Sequence, residues 1–407
     1  MVNCRGCGFE LSITLLDLGE SPIANNLVEF SNSNLQNHYY PLKAMTCGNC
    51  ALVQLSEELP REILFKPNYV YYSSFSTSWL ENSESYAQKM IQFLKLNQSD
   101  LVVEVASNDG YLLKYFKSNG IQVLGIEPAS GVAQVAIKNG IPTLIDFFGE
   151  SLASKLIQTK KPKLIVGNNV LAHVPNLHDF ICGAATLIDD EGVITFEFPH
   201  LLNLLKNSQF DTIYHEHYSY LSITALLPIL EQHKLKVFEV EKLLTHGGSL
   251  RIFLAKSNSS WEISKSIQDI LDEELQFDPR DIRIYKLLQS KVIKTKSDLV
   301  AELSTQKANG KSIAAYGAAA KGVTLLNYCG IKSDVIDYVV DLNPSKQGKF
   351  LPGCQIPIVD SKMLTSNPPD ILLVLAWNLS TELKLQLSDH INLGMKLIKA
   401  VPEVVYF

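Results

Sequence analysis

The sequence predicts an α/β protein with a doubly wound, mostly parallel sheet, a small cysteine-held N-terminal domain and a Rossmann-like α/β domain at the C-terminus. Three observations carry this. Two C-x-x-C pairs stand at the head of the chain, alternating strand and helix patterns run from Leu101 to Glu197, and a fresh strand-to-helix start opens at Ser312. At 407 residues the chain exceeds one hydrophobic core, and it divides into units at 1–66, 67–258 and 259–407.

Apolar content of 46% and charged content of 19% are ordinary for a soluble globular protein. The net charge of −6 argues against a nucleic-acid backbone as the main partner. A small anionic substrate needs only a local basic pocket. No uncharged apolar run is long enough for a transmembrane helix, so no membrane partner is expected. Met-Val-Asn-Cys-Arg has neither the basic region nor the apolar run of a signal peptide, so a cytoplasmic protein with reduced thiols is expected.

Cys4 and Cys7 form one knuckle, Cys47 and Cys50 the other. Four thiolates satisfy tetrahedral zinc and leave no open position, so the metal is expected to be structural. Free buried cysteines or a redox pair is the competing reading. A nucleic-acid-binding ribbon fits poorly, because the stretch between the knuckles is not basic. Cys182, Cys329 and Cys354 stand singly, as packing residues do.

A helical pattern over Trp79–Leu96 precedes the first buried strand, Leu101–Ala106, which turns through Ser107-Asn-Asp-Gly110 into a helix. A second strand, Ile121–Ile126, ends at Glu127-Pro128; others are predicted at Pro142–Ile145, Lys163–Val166 and Gly192–Glu197. Glu104 lies in the first strand, and Glu127 stands where an acid accepts from ribose hydroxyls. The turn Ala106-Ser-Asn108-Asp109-Gly110 lacks the three glycines that a pyrophosphate needs, which favours S-adenosylmethionine over NAD. Asp109 could pair with the methionine ammonium or cap the next helix. After the fourth strand, Asn168, Asn169 and His173 read either as the rim of a cofactor or substrate pocket or as a helix cap and a surface histidine.

The densest chemistry is Asp211-Thr-Ile-Tyr214-His215-Glu216-His217-Tyr218-Ser-Tyr220. Histidine suits proton abstraction near neutral pH, a carboxylate orients it, and a phenol donates to a developing oxyanion. An oxygen or nitrogen nucleophile needs little beyond alignment, whereas a carbon nucleophile must first be made by deprotonation beside a carbonyl. Base, phenol and carboxylate together therefore point to carbon methylation. Strands at Lys234–Glu241 and Leu250–Lys256 follow, joined through Thr245-His246-Gly-Gly-Ser249; Arg251 could meet a phosphate or form a salt bridge. A polar helical stretch, Trp261–Asn309, leads to strands at Ser312–Tyr316, Val335–Val340 and Ile371–Leu375. Gly317-Ala-Ala-Ala-Lys321-Gly322 either approaches a phosphate or packs.

Together these segments resemble the sugar C-methyltransferase family, typified by a tetronitrose C-3 methyltransferase. The marks are the paired knuckles, Leu18-Gly-x-Ser-Pro-x-Ala-Asn25, Tyr69-x-Tyr71-x-Ser-Ser74, Glu104–Gly110, Tyr214–His217, His246–Arg251 and Ala315–Gly322. One departure is Ala106, at a position often occupied by glycine. The resemblance implies a zinc-binding domain, a class I methyltransferase core and a Rossmann-like third domain. It implies S-adenosylmethionine-dependent methylation at C-3 of a 4-keto deoxysugar on a nucleoside diphosphate. By it, His217 is the base with Tyr214 and Glu216 close by, and Tyr69 or Tyr71 approaches the sugar. His173, His246, Arg251 and Lys321 complete the substrate candidates, with the nucleotide between core and third domain. The alternatives are methylation of a sugar hydroxyl or amine, a non-catalytic zinc-ribbon binding protein, and an NAD-dependent oxidoreductase. Oligomeric state is open, and a monomer is compatible with the rest.

Overall fold

A computed structural model describes residues 2–29, 38–65 and 72–407. Tyr69 and Tyr71 lie outside the described residues. The described residues build three main sheets, and the first was not visible in the sequence. Ile13–Pro22, Tyr39–Thr46 and Val53–Leu55 pair antiparallel, burying Leu15, Leu16, Leu42 and Val53. A fourth strand, Ser219–Tyr220, comes from far along the chain and pairs with Val53–Leu55. The N-terminal sheet is thus completed by the segment that follows His217.

The second sheet is the core. Its strands lie in the order Leu235–Leu243, Ser249–Lys256, Val193–Pro199, Leu164–Asn168, Leu101–Val105, Gln122–Ile126, Thr143–Leu144. Five are parallel neighbours, and Ser249–Lys256 runs antiparallel between its two partners. The parallel strands read as continuous apolar runs because both faces are covered. On one side lies the helix Thr77–Leu94, capped by the Ser76 hydroxyl accepting from the Trp79 amide at 3.3 Å. Trp79, Tyr86, Ala87, Met90 and Leu94 form its buried stripe, at the spacing of one helical face.

The polar stretch after the core is two helices, Ser266–Leu275 and Ile282–Ala308, interrupted around Pro279. The longer helix buries Leu288, Val292, Leu299 and Leu303 in a hydrophobic cluster shared with Leu15 and Leu42 of the first sheet and Ile313 of the third. That third sheet orders Ile358–Val359, Val339–Val340, Ile313–Tyr316, Ile371–Val374, Lys396–Lys399 and Val405–Tyr406, all parallel but the last. The strand expected over Val335–Val340 shortens to its last two residues, because the chain turns at Lys332–Ile336. A short ladder between Val28–Glu29 and Lys349–Phe350 ties the first unit to the third. No described helix is long and apolar enough to cross a membrane.

Candidate active site

The strand order reverses between Leu101–Val105 and Leu164–Asn168, and the crevice outside the carboxyl ends of such strands is where α/β sheets hold ligands. A cavity of about 310 Å³ opens there, closed on its far side by Ala319, Ala320, Lys321 and Lys346 of the third unit.

Its cofactor side is built from the first turn. Ala106 and Asn108 both take left-handed backbone, with φ of 56° and 50°. Glycine takes such backbone without strain, whereas alanine at 106 carries a small local cost. The turn lets the Asn108 amide donate to Glu127 Oε2 at 2.9 Å while the Ala129 amide donates to Oε1 at 2.8 Å. One carboxylate therefore ties the first two strand ends together, and each oxygen keeps lone-pair capacity toward the cavity. Burial pushes Glu127 up to about 7. Opposite it, Asn168 Nδ2 donates to the Tyr111 hydroxyl at 3.3 Å, leaving Oδ1 buried without a protein partner; Asn169 Oδ1 is in the same state. Buried acceptors call for donors. The hydroxyls and ammonium of S-adenosylmethionine supply them, so these residues fit that cofactor.

Ala106, Asn108, Glu127, Pro128, Asn168 and Asn169 line the cavity; Glu104, Asp109 and Gly110 do not. Asp109, which could pair with the methionine ammonium or cap the next helix, has its Oδ2 accepting from the Ser74 amide at 3.2 Å and the Ser74 hydroxyl at 2.5 Å, while Oδ1 is buried without a protein partner. Glu104 lies fully buried beneath the turn, and burial holds it well above the usual carboxylate range.

On the substrate side a 3-10 turn at Phe210–Thr212 leads into a second tight turn, closed by the His217 amide donating to the Tyr214 carbonyl at 2.9 Å. His215 turns to the first sheet, its Nε2 at 3.3 Å from the Tyr40 carbonyl, while His217 turns into the cavity. His217 Nδ1 donates to the Thr212 carbonyl at 2.9 Å, since a carbonyl only accepts. Nε2 is then the basic nitrogen, and the Tyr214 hydroxyl donates to it at 2.7 Å. Burial pushes His217 well below the usual histidine value, so it is neutral at neutral pH. His173 stacks edge-on to His217 with ring centres 4.7 Å apart. Its Nδ1 donates to the Glu216 carbonyl at 2.7 Å, and burial lowers it to about 4. The Glu216 carboxylate accepts from Asn25 Nδ2 at 2.5 Å. His246, half-buried and lowered to about 4 by desolvation, packs on Trp79 with ring centres 5.1 Å apart and leaves Nε2 without a protein partner. Lys321 Nζ donates to Asn378 Oδ1 at 2.6 Å and lies over the Trp377 ring.

Arg251 was a phosphate candidate with a salt bridge as the alternative, and the structure shows the salt bridge. It is buried within the core, bonded to Glu197 at 2.6 Å and stacked over Tyr86. Both partners face it from neighbouring core elements, so it cannot reach the cavity without abandoning a buried charge.

Three family profiles match the chain: a zinc binding domain over residues 4–65, a methyltransferase domain over 79–240 and a C-methyltransferase C-terminal domain over 244–402. The C-methyltransferase NovU of Streptomyces niveus is 32% identical over 404 residues, which is 98% of this chain and 95% of that one. This chain is a C-methyltransferase. Among solved structures, magnesium protoporphyrin IX methyltransferase of Synechocystis with bound S-adenosylmethionine shares 13% identity at a TM-score of 0.36, covering 49% of this chain and 99% of its own. A methyltransferase of Clostridium acetobutylicum shares 10% at 0.36, covering 44% and 92%.

The zinc site of the C-methyltransferase is assembled as its cysteines suggested. The sulfurs of Cys4, Cys7, Cys47 and Cys50 all lie within 4.8 Å of one another. Bonds of about 2.3 Å to one tetrahedral ion need sulfurs about 3.8 Å apart, which this cluster fits. The Gly6 amide donates to Cys4 Sγ at 3.3 Å and the Cys50 amide to Cys47 Sγ at 3.5 Å, as a thiolate cage requires. Several cavity residues escaped the sequence reading: Asn25, Arg61, Phe147, Thr212 and Lys346. Asn25 closes the Leu18–Asn25 segment and Thr212 stands inside the Asp211–Tyr220 cluster, but neither was given a role.

Proposed function

We propose that this C-methyltransferase transfers methyl to C-3 of a nucleoside-diphosphate-linked 4-keto deoxysugar through an enolate, in the making of a branched deoxysugar. The observation that carries the reading is the neutral His217 imidazole, with Nε2 turned to the Tyr214 hydroxyl in the cavity shared with Glu127 and Asn168. S-adenosylmethionine held by Glu127, Asn168 and Asn169 supplies an electrophilic methyl carbon.

His217 Nε2 takes the C-3 proton, and the C–H electron pair becomes the enolate double bond while charge moves to O-4. Tyr214, released from Nε2 by the substrate, turns its O–H to that oxygen. C-3 then forms the new carbon–methyl bond as the sulfonium's carbon–sulfur bond breaks. Glu216, held by Asn25, and His173 border the reacting centre, and His246 supplies a polar edge. Lys321 offers positive charge toward the diphosphate, with Tyr69 or Tyr71 reaching the sugar from the linker. The three units, 1–66, 67–258 and 259–407, then act as zinc-held brace, cofactor core and substrate wall.

Product NMR with methyl-carbon-13 S-adenosylmethionine and thymidine-diphosphate 4-keto-6-deoxyglucose tests this. A methyl singlet in the carbon-13-decoupled proton spectrum, on a quaternary carbon at C-3, is expected. A methyl at C-5 would move the acceptor to the other side of the ketone and keep the enolate route. A methyl on oxygen or nitrogen would overturn the reading.

A further inference from the structure

The third unit does more than wall the cavity, because it grips the chain on both sides of Thr212, by a side chain before it and a backbone carbonyl after it. Trp377 Nε1 donates to Asp211 Oδ2 at 2.6 Å, and the Thr324 hydroxyl donates to the Ile213 carbonyl at 3.1 Å. Phe210 meets Tyr328 edge-on with ring centres 5.4 Å apart. Asp211 is completely buried, and Trp377 and Thr324 nearly so. Trp377 is itself fixed from two sides: Lys321 Nζ lies 4.5 Å from its ring centre, and Gly247, at φ 90°, lies so close that a Cβ there would sit 2.5 Å from the ring. Between the two grips stands the one carbonyl that accepts from His217 Nδ1.

We propose that Trp377 and Thr324 are positioning residues that hold residues 211–213 so that the Thr212 carbonyl fixes His217 in its Nδ1–H tautomer. The inference rests on His217 being the base. A free imidazole samples both tautomers, and the hydrogen bond at one nitrogen decides which nitrogen carries the proton. If the 211–213 segment shifts, Nδ1 loses its acceptor, Nε2 gains protonated population, and the basic lone pair turns away from the substrate. The third unit thereby controls the base without touching it.

Histidine-nitrogen-15 NMR reads this on the whole protein without any substrate, the His217 signal being the one absent from His217→Asn. The wild type should show Nδ1 protonated and Nε2 bare. Trp377→Phe, which removes the Nε1 donor and keeps an aromatic ring, and Thr324→Val, which keeps the shape, should each shift the signal toward a tautomer mixture, while Thr324→Ser should restore it. In methyl transfer to the same sugar nucleotide, both disruptive variants should lose about tenfold in kcat with S-adenosylhomocysteine affinity unchanged, as small misplacements of a reacting group do. An unchanged His217 signal in both folded variants would overturn the positioning role. The base assignment stands apart: it fails only if His217→Asn retains proton exchange at the substrate carbon.

Discussion

His217 is stable where it stands only because it is uncharged. Below about pH 6.5 an unfolded histidine takes up a proton. Folded His217, depressed by burial, does not, so its burial costs stability as pH falls and costs nothing at higher pH. Relative to the wild type, His217→Asn should therefore gain up to about 1.4 kcal/mol per pH unit between about pH 7 and 5, measured by denaturant unfolding. A pH-independent difference would show that His217 protonates freely in the folded protein. Glu127 is the other residue whose environment can be tested singly. Glu127→Gln keeps its shape but weakens two amide contacts and replaces one acceptor with a donor, so S-adenosylhomocysteine binding should fall by about tenfold or more by calorimetry. Unchanged affinity would remove Glu127 from the cofactor site.

At the scale of elements, the first turn and one helix contact make opposite predictions. Ala106→Gly relieves a left-handed backbone, so stability should hold or rise by up to about 1 kcal/mol with activity kept. Gly183 lies on the helix Leu177–Leu187 where a Cβ would sit 2.7 Å from the Gly149 carbonyl carbon. Backbone cannot yield there as a side chain can, so Gly183→Ala should cost about 1–3 kcal/mol in thermal unfolding. The core elements were legible in the sequence for a physical reason. Strands buried on both faces are unbroken apolar runs, and Leu101–Val105, Leu164–Asn168 and Val193–Pro199 lie where such runs fall. The first sheet was hidden because its long strands carry bulges between Thr14 and Leu16 and between Asp17 and Glu20, which break the alternation that marks a strand. In the site, His217 and Tyr214 showed through local density of chemistry. Thr212 did not, because it acts through its carbonyl, which every residue has. Arg251 misled because a charge beside glycines looks alike whether it faces a ligand or a buried partner.

At the scale of the molecule, the zinc unit and the segment that carries His217 are one structure. Arg5, inside the first knuckle, donates to the Leu55 and Tyr218 carbonyls at 3.2 and 2.9 Å, and the strand Val53–Leu55 pairs with Ser219–Tyr220 just past His217. Metal binding is folding free energy for such a unit. Cys4→Ser with Cys47→Ser should thus lose one zinc per chain by metal analysis and lower the thermal midpoint. Methyl transfer should fall further than S-adenosylhomocysteine affinity, because the cofactor strands lie in another sheet. Full zinc retention in that variant would refute the site. The account as a whole turns on where the substrate proton goes. Proton NMR in heavy water, with S-adenosylhomocysteine and thymidine-diphosphate 4-keto-6-deoxyglucose bound, follows it directly. The wild type should wash deuterium into the carbon beside the ketone and His217→Asn should not, whereas wild-type exchange in that variant would contradict the account.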